Sequence, residues 1–121
     1  MEKFEITILG CGSAKPTLRH APSAQLVTHN SRHFLIDCGE GTQSQLMRAH
    51  CKFNRLSHIF ISHLHGDHCY GLPGLLSTMG LTGLNGHLTV HLPEEGVALF
   101  KPLLDYSANG LEVEFAPYRY G

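Results

Sequence analysis

The sequence predicts an α/β layered fold built on a mixed sheet, and two observations carry that prediction. Strand-like segments separated by turn residues come first, as a hairpin group, and later segments alternate between strand-like and helix-like patterns. With 121 residues, 42% of them hydrophobic, the chain can form one domain or one portion of a larger domain.

The hairpin group takes up roughly the first third of the chain. Phe4, Ile6 and Ile8 alternate along a first strand, which the glycine-bracketed segment 10–13 ends. A second strand is predicted from Ser23 to Thr28, and a third from His33 to Cys38. Asn30 and Ser31 lie between these two strands and are typical turn residues, so we expect the strands to be antiparallel neighbours.

The rest of the chain alternates helices and strands. We predict helices over 42–50, 71–81 and 94–106, and strands over 56–62, 87–91 and 111–115. Thr42 is a competent N-cap for the first of these helices. Pro73 limits the second helix to a start near that residue, and Pro102 should kink or divide the third.

The composition of the chain indicates where the protein is located and which kinds of partner it can bind. No apolar run approaches the roughly 18 residues of a membrane-spanning helix, and the first residues lack a secretory pattern, so we expect a cytoplasmic protein without a membrane partner. The four cysteines are too widely spaced for a metal knuckle, and we expect reduced, mostly buried thiols. A net charge of −1 means that any RNA contact must come from a local basic patch.

A dense group of metal-ligand residues follows the predicted strand over 56–62. His63 and His65 are two residues apart in an extended segment, so both side chains can reach one metal ion. Gly66 then permits a turn, after which Asp67 and His68 can reach a neighbouring ion. A surface loop, or histidines that cap the next helix, is the alternative; the spacing, the glycine and the preceding apolar strand favour a metal site.

Two adjacent cations would activate a bridging water and stabilise negative charge on a scissile phosphate or carbonyl, which indicates hydrolysis. Asp67 could hold a metal and could also accept the proton of that water. Two zinc ions need about five or six protein ligands, and the motif supplies four. His87 and His91 are further candidates because both lie on one face of a predicted strand, although a structural role explains them as well.

Three further segments carry a resemblance to a known family. They are Gly10–Thr17 (GCGSAKPT), Asp37–Gln43 (DCGEGTQ) and His68–Leu75 (HCYGLPGL). With HLHGDH at 63–68, the chain resembles the metallo-β-lactamase superfamily, and within it the ribonuclease Z family of tRNA 3′-processing endoribonucleases. The HLHGDH motif by itself indicates only the superfamily. DCGEGTQ before it and GLPGLL after it are much more specific.

That resemblance implies a metallo-β-lactamase-like αβ/βα sandwich with two Zn²⁺ ions at the edge between its sheets. It implies that His63 and His65 bind the first zinc, that Asp67 and His68 bind the second, and that Asp67 is the catalytic proton acceptor. The implied reaction removes the 3′ trailer from precursor tRNA and leaves a 3′-hydroxyl on the tRNA. A homodimer is the expected assembly.

Family members are about twice as long as this chain or longer. We therefore expect residues 1–121 to be the N-terminal portion of a single domain, with the later zinc ligands and the tRNA-binding arm absent. By itself such a portion should be inactive, because zinc affinity depends on the complete ligand set.

Five basic residues are candidate phosphate contacts, in two groups: Lys15 and Arg19, then Arg48, Lys52 and Arg55. The family commonly has Asn where His20 stands, and an ordinary solvated helix face explains the second group equally well. Two other functions stay open. One is a superfamily hydrolase that acts on a sulfate ester, a cyclic nucleotide or a thioester, and the other is a non-catalytic module that binds metal or RNA.

Overall fold

In the computed structural model of the protein, the described residues are 3–10, 23–81, 86–107 and 111–119, with the side chains of residues 67, 106 and 107 excepted. Six strands are present in this part of the chain: β1 (Phe4–Gly10), β2 (Ala24–His29), β3 (Arg32–Ile36), β4 (Leu56–Phe60), β5 (His87–Pro93) and β6 (Glu112–Tyr118). Its helices are α1 (Thr42–Arg48), α2 (Gly66–Cys69), α3 (Leu72–Leu81) and α4 (Glu95–Ser107), with a short 3-10 helix at Phe53–Arg55.

The strands form one mixed sheet in the order β1-β2-β3-β4-β5-β6. The β1–β2 and β2–β3 pairs are antiparallel, whereas the β3–β4, β4–β5 and β5–β6 pairs are parallel. Asn30 and Ser31 make the tight β2–β3 turn with positive φ angles of 50° and 68°, the backbone that two-residue hairpins favour. The predicted mixed α/β sheet is confirmed.

One face of the sheet, the covered face, carries the hydrophobic core. Side chains that alternate along the central strands point to this face, where the helices pack on them. Fully or almost fully buried are Leu26, Leu35, Ile59, Leu88, Val90 and Leu92 from strands, and Leu46, Leu72, Leu75, Leu76 and Phe100 from helices. Burial of this apolar surface holds the helices on the sheet.

The other face, the open face, has no helix on it among the described residues. Phe4, Ile6 and Ile8 are exposed along β1, as are Ile36 on β3 and Phe60 on β4. The alternation that predicted the first strand is therefore real, but its apolar side chains point away from the core that the helices cover. Contiguous exposed apolar surface of this kind is typical of a face that another layer covers.

Several predicted details are wrong. Thr42 is not an N-cap: Gly41 occupies that position, and the Thr42 hydroxyl donates a hydrogen bond to the Gly39 carbonyl at 2.6 Å. Of the two outcomes expected at Pro102, division does not occur, because α4 is continuous from Glu95 to Ser107. The strand that precedes the histidine motif ends at Phe60 rather than at Ser62, and β6 extends to Tyr118 rather than Phe115. Pairing with β5 along its whole length extends this last strand.

Candidate metal centre

The candidate centre lies where two neighbouring parallel strands end. β3 ends at Ile36 and leads into Asp37, and β4 ends at Phe60 and leads into the segment 61–65. Because parallel strands put their carboxyl ends at one edge, these two chain segments meet there. The Asp37 amide donates to the Phe60 carbonyl at 2.7 Å, which joins the two exits.

Asp37 is a buried carboxylate that organises this edge. Its backbone has a φ of 62°, a left-handed conformation that aspartate tolerates better than most residues. The carboxylate accepts hydrogen bonds from the Ser62 amide at 2.8 Å and from the Ser62 hydroxyl at 2.8 and 2.9 Å. Its Oδ2 also lies 2.8 Å from Nδ1 of His68. One side chain therefore contacts both the residue before the histidine motif and the last histidine of the motif.

The three histidines of the motif converge. The ring centroids of His63 and His65 are 5.2 Å apart, with the rings nearly perpendicular. Those of His63 and His68 are 3.7 Å apart. The Ser62 hydroxyl also lies 3.0 Å from Nδ1 of His63. The three imidazoles therefore lie close together, and their roles as metal ligands stay predictions.

Asp67 lies on a turn that the sequence predicted at Gly66 but whose helical form it did not predict. Residues Gly66–Cys69 form α2, a single turn, and the His68 amide donates to the His65 carbonyl at 2.9 Å. His63 and His65 are thus on extended backbone, and Asp67 and His68 are on the turn that follows. The Asp67 side chain lies outside the described part of the structure, so its ligand and proton-acceptor roles stay predictions.

The donor set fits zinc in its chemistry. The Asp37 carboxylate lies 2.8 Å from Nδ1 of His68, and a carboxylate behind one ring nitrogen is the usual arrangement behind a zinc-bound histidine. In the described part of the chain, no three His, Cys, Asp or Glu side chains already surround one point as a bound metal requires. The described residues therefore present donor atoms of the right kind without a complete coordination sphere.

His87 and His91 have other partners. Nε2 of His87 lies 2.9 Å from the Glu114 carboxylate, and Nε2 of His91 lies 3.0 Å from Nδ1 of His58. The His91 ring also stacks on Phe60, with the ring centroids 4.4 Å apart. Both residues are on the open face, and their spacing predicted that they would share one face. Their contacts are with other side chains of the sheet.

The segments DCGEGTQ and GLPGLL, far apart in sequence, touch one another behind the site. The Gly71 amide donates to the Cys38 carbonyl at 2.9 Å. A β-carbon on Gly71 would lie only 2.0 Å from the Gly39 carbonyl oxygen, so this position requires glycine. The Cys38 amide in turn donates to the His68 carbonyl at 2.8 Å, which links both segments to the histidine motif.

Three of the four cysteines lie in the described part of the chain. Cys38 and Cys69 are buried and Cys51 is half-buried, and none of the three forms a disulfide. Burial raises the pKa of the Cys38 thiol to about 12 and that of Cys51 to about 11, so both stay protonated at neutral pH. The prediction of reduced, mostly buried thiols is confirmed for these three, and Cys11 lies outside the described residues.

Residues 4–99 match the sequence model of a family described as Anti-Pycsar protein Apyc1. The chain belongs to that family. It is also 55% identical over 114 residues to ribonuclease Z from Parabacteroides distasonis, a match that covers 94% of this chain and 38% of that relative. The resemblance to ribonuclease Z is thereby confirmed, and the chain spans less than half the length of the curated relatives it matches.

Solved structures agree on the fold. Human tRNase Z, short form, has a TM-score of 0.82 and 35% sequence identity, and the match covers 98% of this chain and 45% of that one. The metallo-beta-lactamase fold protein YhfI from Bacillus subtilis has a TM-score of 0.75 at 22% identity, with 94% of this chain and 45% of that chain covered. The predicted metallo-β-lactamase fold class is confirmed, with this chain corresponding to roughly half of it.

Among the described residues, no helix is both long and apolar enough to cross a membrane. The longest, α4, has 13 residues.

Proposed function

We propose that this chain is the N-terminal part of a zinc-dependent phosphodiesterase that removes the 3′ trailer from precursor tRNA and leaves a 3′-hydroxyl on the tRNA. The observation that carries the proposal is the proximity of the imidazoles of His63, His65 and His68, with the His68 ring against the Asp37 carboxylate. The identity to ribonuclease Z relatives supports the choice of substrate.

In this proposal His63 and His65 hold one zinc, and Asp67 and His68 hold the second. Bound zinc lowers the pKa of its water and stabilises negative charge on a phosphate. Asp67 accepts a proton from the attacking water and orients it toward phosphorus. Asp37 holds the His68 ring in one tautomer and, through Ser62, fixes the backbone that precedes His63.

Further ligands must come from residues outside this chain's described set, since two zinc ions need about five or six. The apolar open face supports the same view, because a second sheet would cover Ile36 and Phe60 and bring those ligands to the same edge. We therefore propose that the active unit is the complete sandwich, present as a cytoplasmic homodimer.

The candidate RNA contacts differ in position. Lys15 and Arg19 lie outside the described residues. Arg48 ends α1, and Arg55 precedes β4, so Arg55 lies at the opposite end of that strand from the histidine motif. A five-residue strand spans about 17 Å. Arg48, Lys52 and Arg55 are exposed, and in our proposal they contact phosphates remote from the scissile bond.

The decisive experiment measures zinc content and precursor-tRNA cleavage side by side on this 121-residue chain and on the protein translated from the complete reading frame that encodes it. We expect about two zincs and a trailer with a 5′-phosphate from the latter, and no cleavage from the former. His65→Gln should reduce cleavage by more than the roughly 10- to 100-fold typical of replacing a residue that hydrogen-bonds to a metal ligand. His87→Gln, an exposed histidine outside the motif, is the matched control and should leave cleavage unchanged.

Other outcomes separate the alternatives. Zinc binding with hydrolysis of bis(p-nitrophenyl) phosphate or of a cyclic nucleotide, but with intact tRNA, would retain the metallohydrolase and reject the tRNA substrate. A metal content well below two, with no hydrolysis of any of these substrates, would favour the non-catalytic module. Sedimentation of the zinc-loaded protein as a monomer would reject the homodimer.

A further inference from the structure

Tyr118 connects the last strand of the sheet to the histidine motif. It is the final residue of β6, where it pairs with Pro93 of β5. Its phenolic hydroxyl reaches across to the segment between β4 and His63, where it lies in hydrogen-bonding distance of the Ile61 carbonyl and 3.0 Å from the Ser62 carbonyl. The contact spans 57 residues of sequence.

The backbone of this short segment is held from three directions. The Ile61 amide donates to the His91 carbonyl at 2.7 Å, and the Ser62 amide donates to the Asp37 carboxylate at 2.8 Å. The Tyr118 hydroxyl donates to the carbonyls of these two residues. Beyond Phe60 the segment is no longer a strand, so these contacts replace the regular pairing of a sheet.

The orientation of the Ser62 peptide determines where the His63 ring points, because His63 follows it directly. His65 shares the side of His63 only while the backbone from 62 to 65 stays extended. We propose that Tyr118 is a positioning residue for the metal-binding histidines: its hydroxyl fixes the Ile61 and Ser62 carbonyls and thereby the direction of the His63 and His65 side chains. The proposal rests on the zinc site proposed above.

A purely structural role for this hydroxyl is the competing explanation. β6 is already held by seven consecutive register pairs with β5, from His87 and Glu112 to Pro93 and Tyr118. Val113 and Phe115 also pack against the core. Loss of one hydroxyl at the end of such a strand should leave the strand in place, so its effect should be concentrated on the segment it touches.

The test uses Tyr118→Phe, with Arg119→Gln as the matched control, in the protein translated from the complete reading frame. Arg119 is the next residue and makes an exposed ion pair with Glu94 at 2.7 Å, so its replacement disturbs the same strand end without touching the motif. Zinc affinity is measured by competition with a chelator. Thermal unfolding of the metal-free protein and amide exchange at residues 62–65 are measured on the same samples.

We expect Tyr118→Phe to weaken zinc binding by roughly tenfold, the lower end of the range for residues behind a metal ligand. Exchange at 62–65 should accelerate in the metal-free protein, and its unfolding temperature should match that of Arg119→Gln. With precursor tRNA, kcat should fall while KM stays unchanged. Arg119→Gln should bind zinc as the unaltered protein does.

Zinc affinity of Tyr118→Phe equal to that of the control would overturn the proposal. So would a Tyr118→Phe protein that no longer folds, because the hydroxyl would then serve the fold. The zinc and exchange measurements need no RNA, so failure to cleave tRNA would reject the proposed substrate without deciding the role of Tyr118. A protein that binds no zinc would reject both.

Discussion

The two faces of the sheet differ although they are built from the same strands. On β3 the neighbours Leu35 and Ile36 point to opposite faces: Leu35 is 0% exposed beneath the helices, and Ile36 is 39% exposed on the open face. Helices cover one face. Among the described residues, no helix packs on the apolar side chains of the open face.

The difference between the two faces separates the part of the molecule that the described residues already pack from the part that they leave exposed. The candidate centre lies at the carboxyl ends of β3 and β4, and its network of Asp37, Ser62 and His68 is formed from the helix-bearing layer alone. A covering layer would therefore add ligands to a centre that is already partly arranged.

The largest expected effect is on folding. In the protein from the complete reading frame, Leu35→Ala should reduce the free energy of unfolding by roughly 2 to 5 kcal/mol, because it leaves a cavity under the helices. Ile36→Ala should cost nearly as much there if a second layer covers it. Denaturant unfolding of both variants gives the comparison.

In the 121-residue chain the same pair should separate. Ile36→Ala should then change the free energy of unfolding by no more than about 0.5 kcal/mol, as is usual for exposed positions. Leu35→Ala should still lower it substantially. If Ile36→Ala is equally mild in the longer protein, the open face is open there too, and the proposed second layer is wrong.

The next effect concerns the centre itself. Asp37→Asn keeps a residue that tolerates the left-handed backbone but removes a charged acceptor from Ser62 and His68. Zinc affinity and tRNA cleavage should each fall roughly 10- to 100-fold in the complete protein. Asp105→Asn, an exposed carboxylate on α4, is the control. Equal zinc affinity in the two variants would mean that the covered layer does not arrange the ligands.

The smallest effect is a difference in pH dependence between the faces. Burial lowers the pKa of His33 on the covered face, and the charges of Arg55 and Lys52 lower it further. Burial also lowers the pKa of His91 on the open face, aided by His58 and opposed by Glu114. For both, the unfolded chain binds the proton more readily, so stability is full above the unfolded pKa of about 6.5 and falls as pH drops below it.

Unfolding of His33→Gln and His91→Gln across pH 5 to 8 measures the two contributions. Each replacement should flatten the acid-side loss of stability. A second layer would bury His91 more deeply, so in the longer protein the His91 contribution should grow relative to that of His33. A ratio that stays the same in both proteins would argue against such a layer.

The sequence by itself determined the local features of this protein. Alternation of apolar residues predicted the strands, the turn at Asn30 and Ser31 predicted the first hairpin, and the spacing of His63, His65 and His68 predicted a shared site. These features can be predicted from sequence because each depends on residues only a few positions apart, where backbone geometry fixes which side chains share a face.

Only the tertiary structure decided how those features are held. Asp37 meets His68 across 31 residues and Ser62 across 25, and Tyr118 reaches Ile61 across 57. The same holds for Phe4, Ile6 and Ile8, whose pattern predicted a strand but not which face the helices would cover. Such contacts depend on strand order and on the side of the sheet that each connection crosses. The spacing of neighbouring residues determines neither of these.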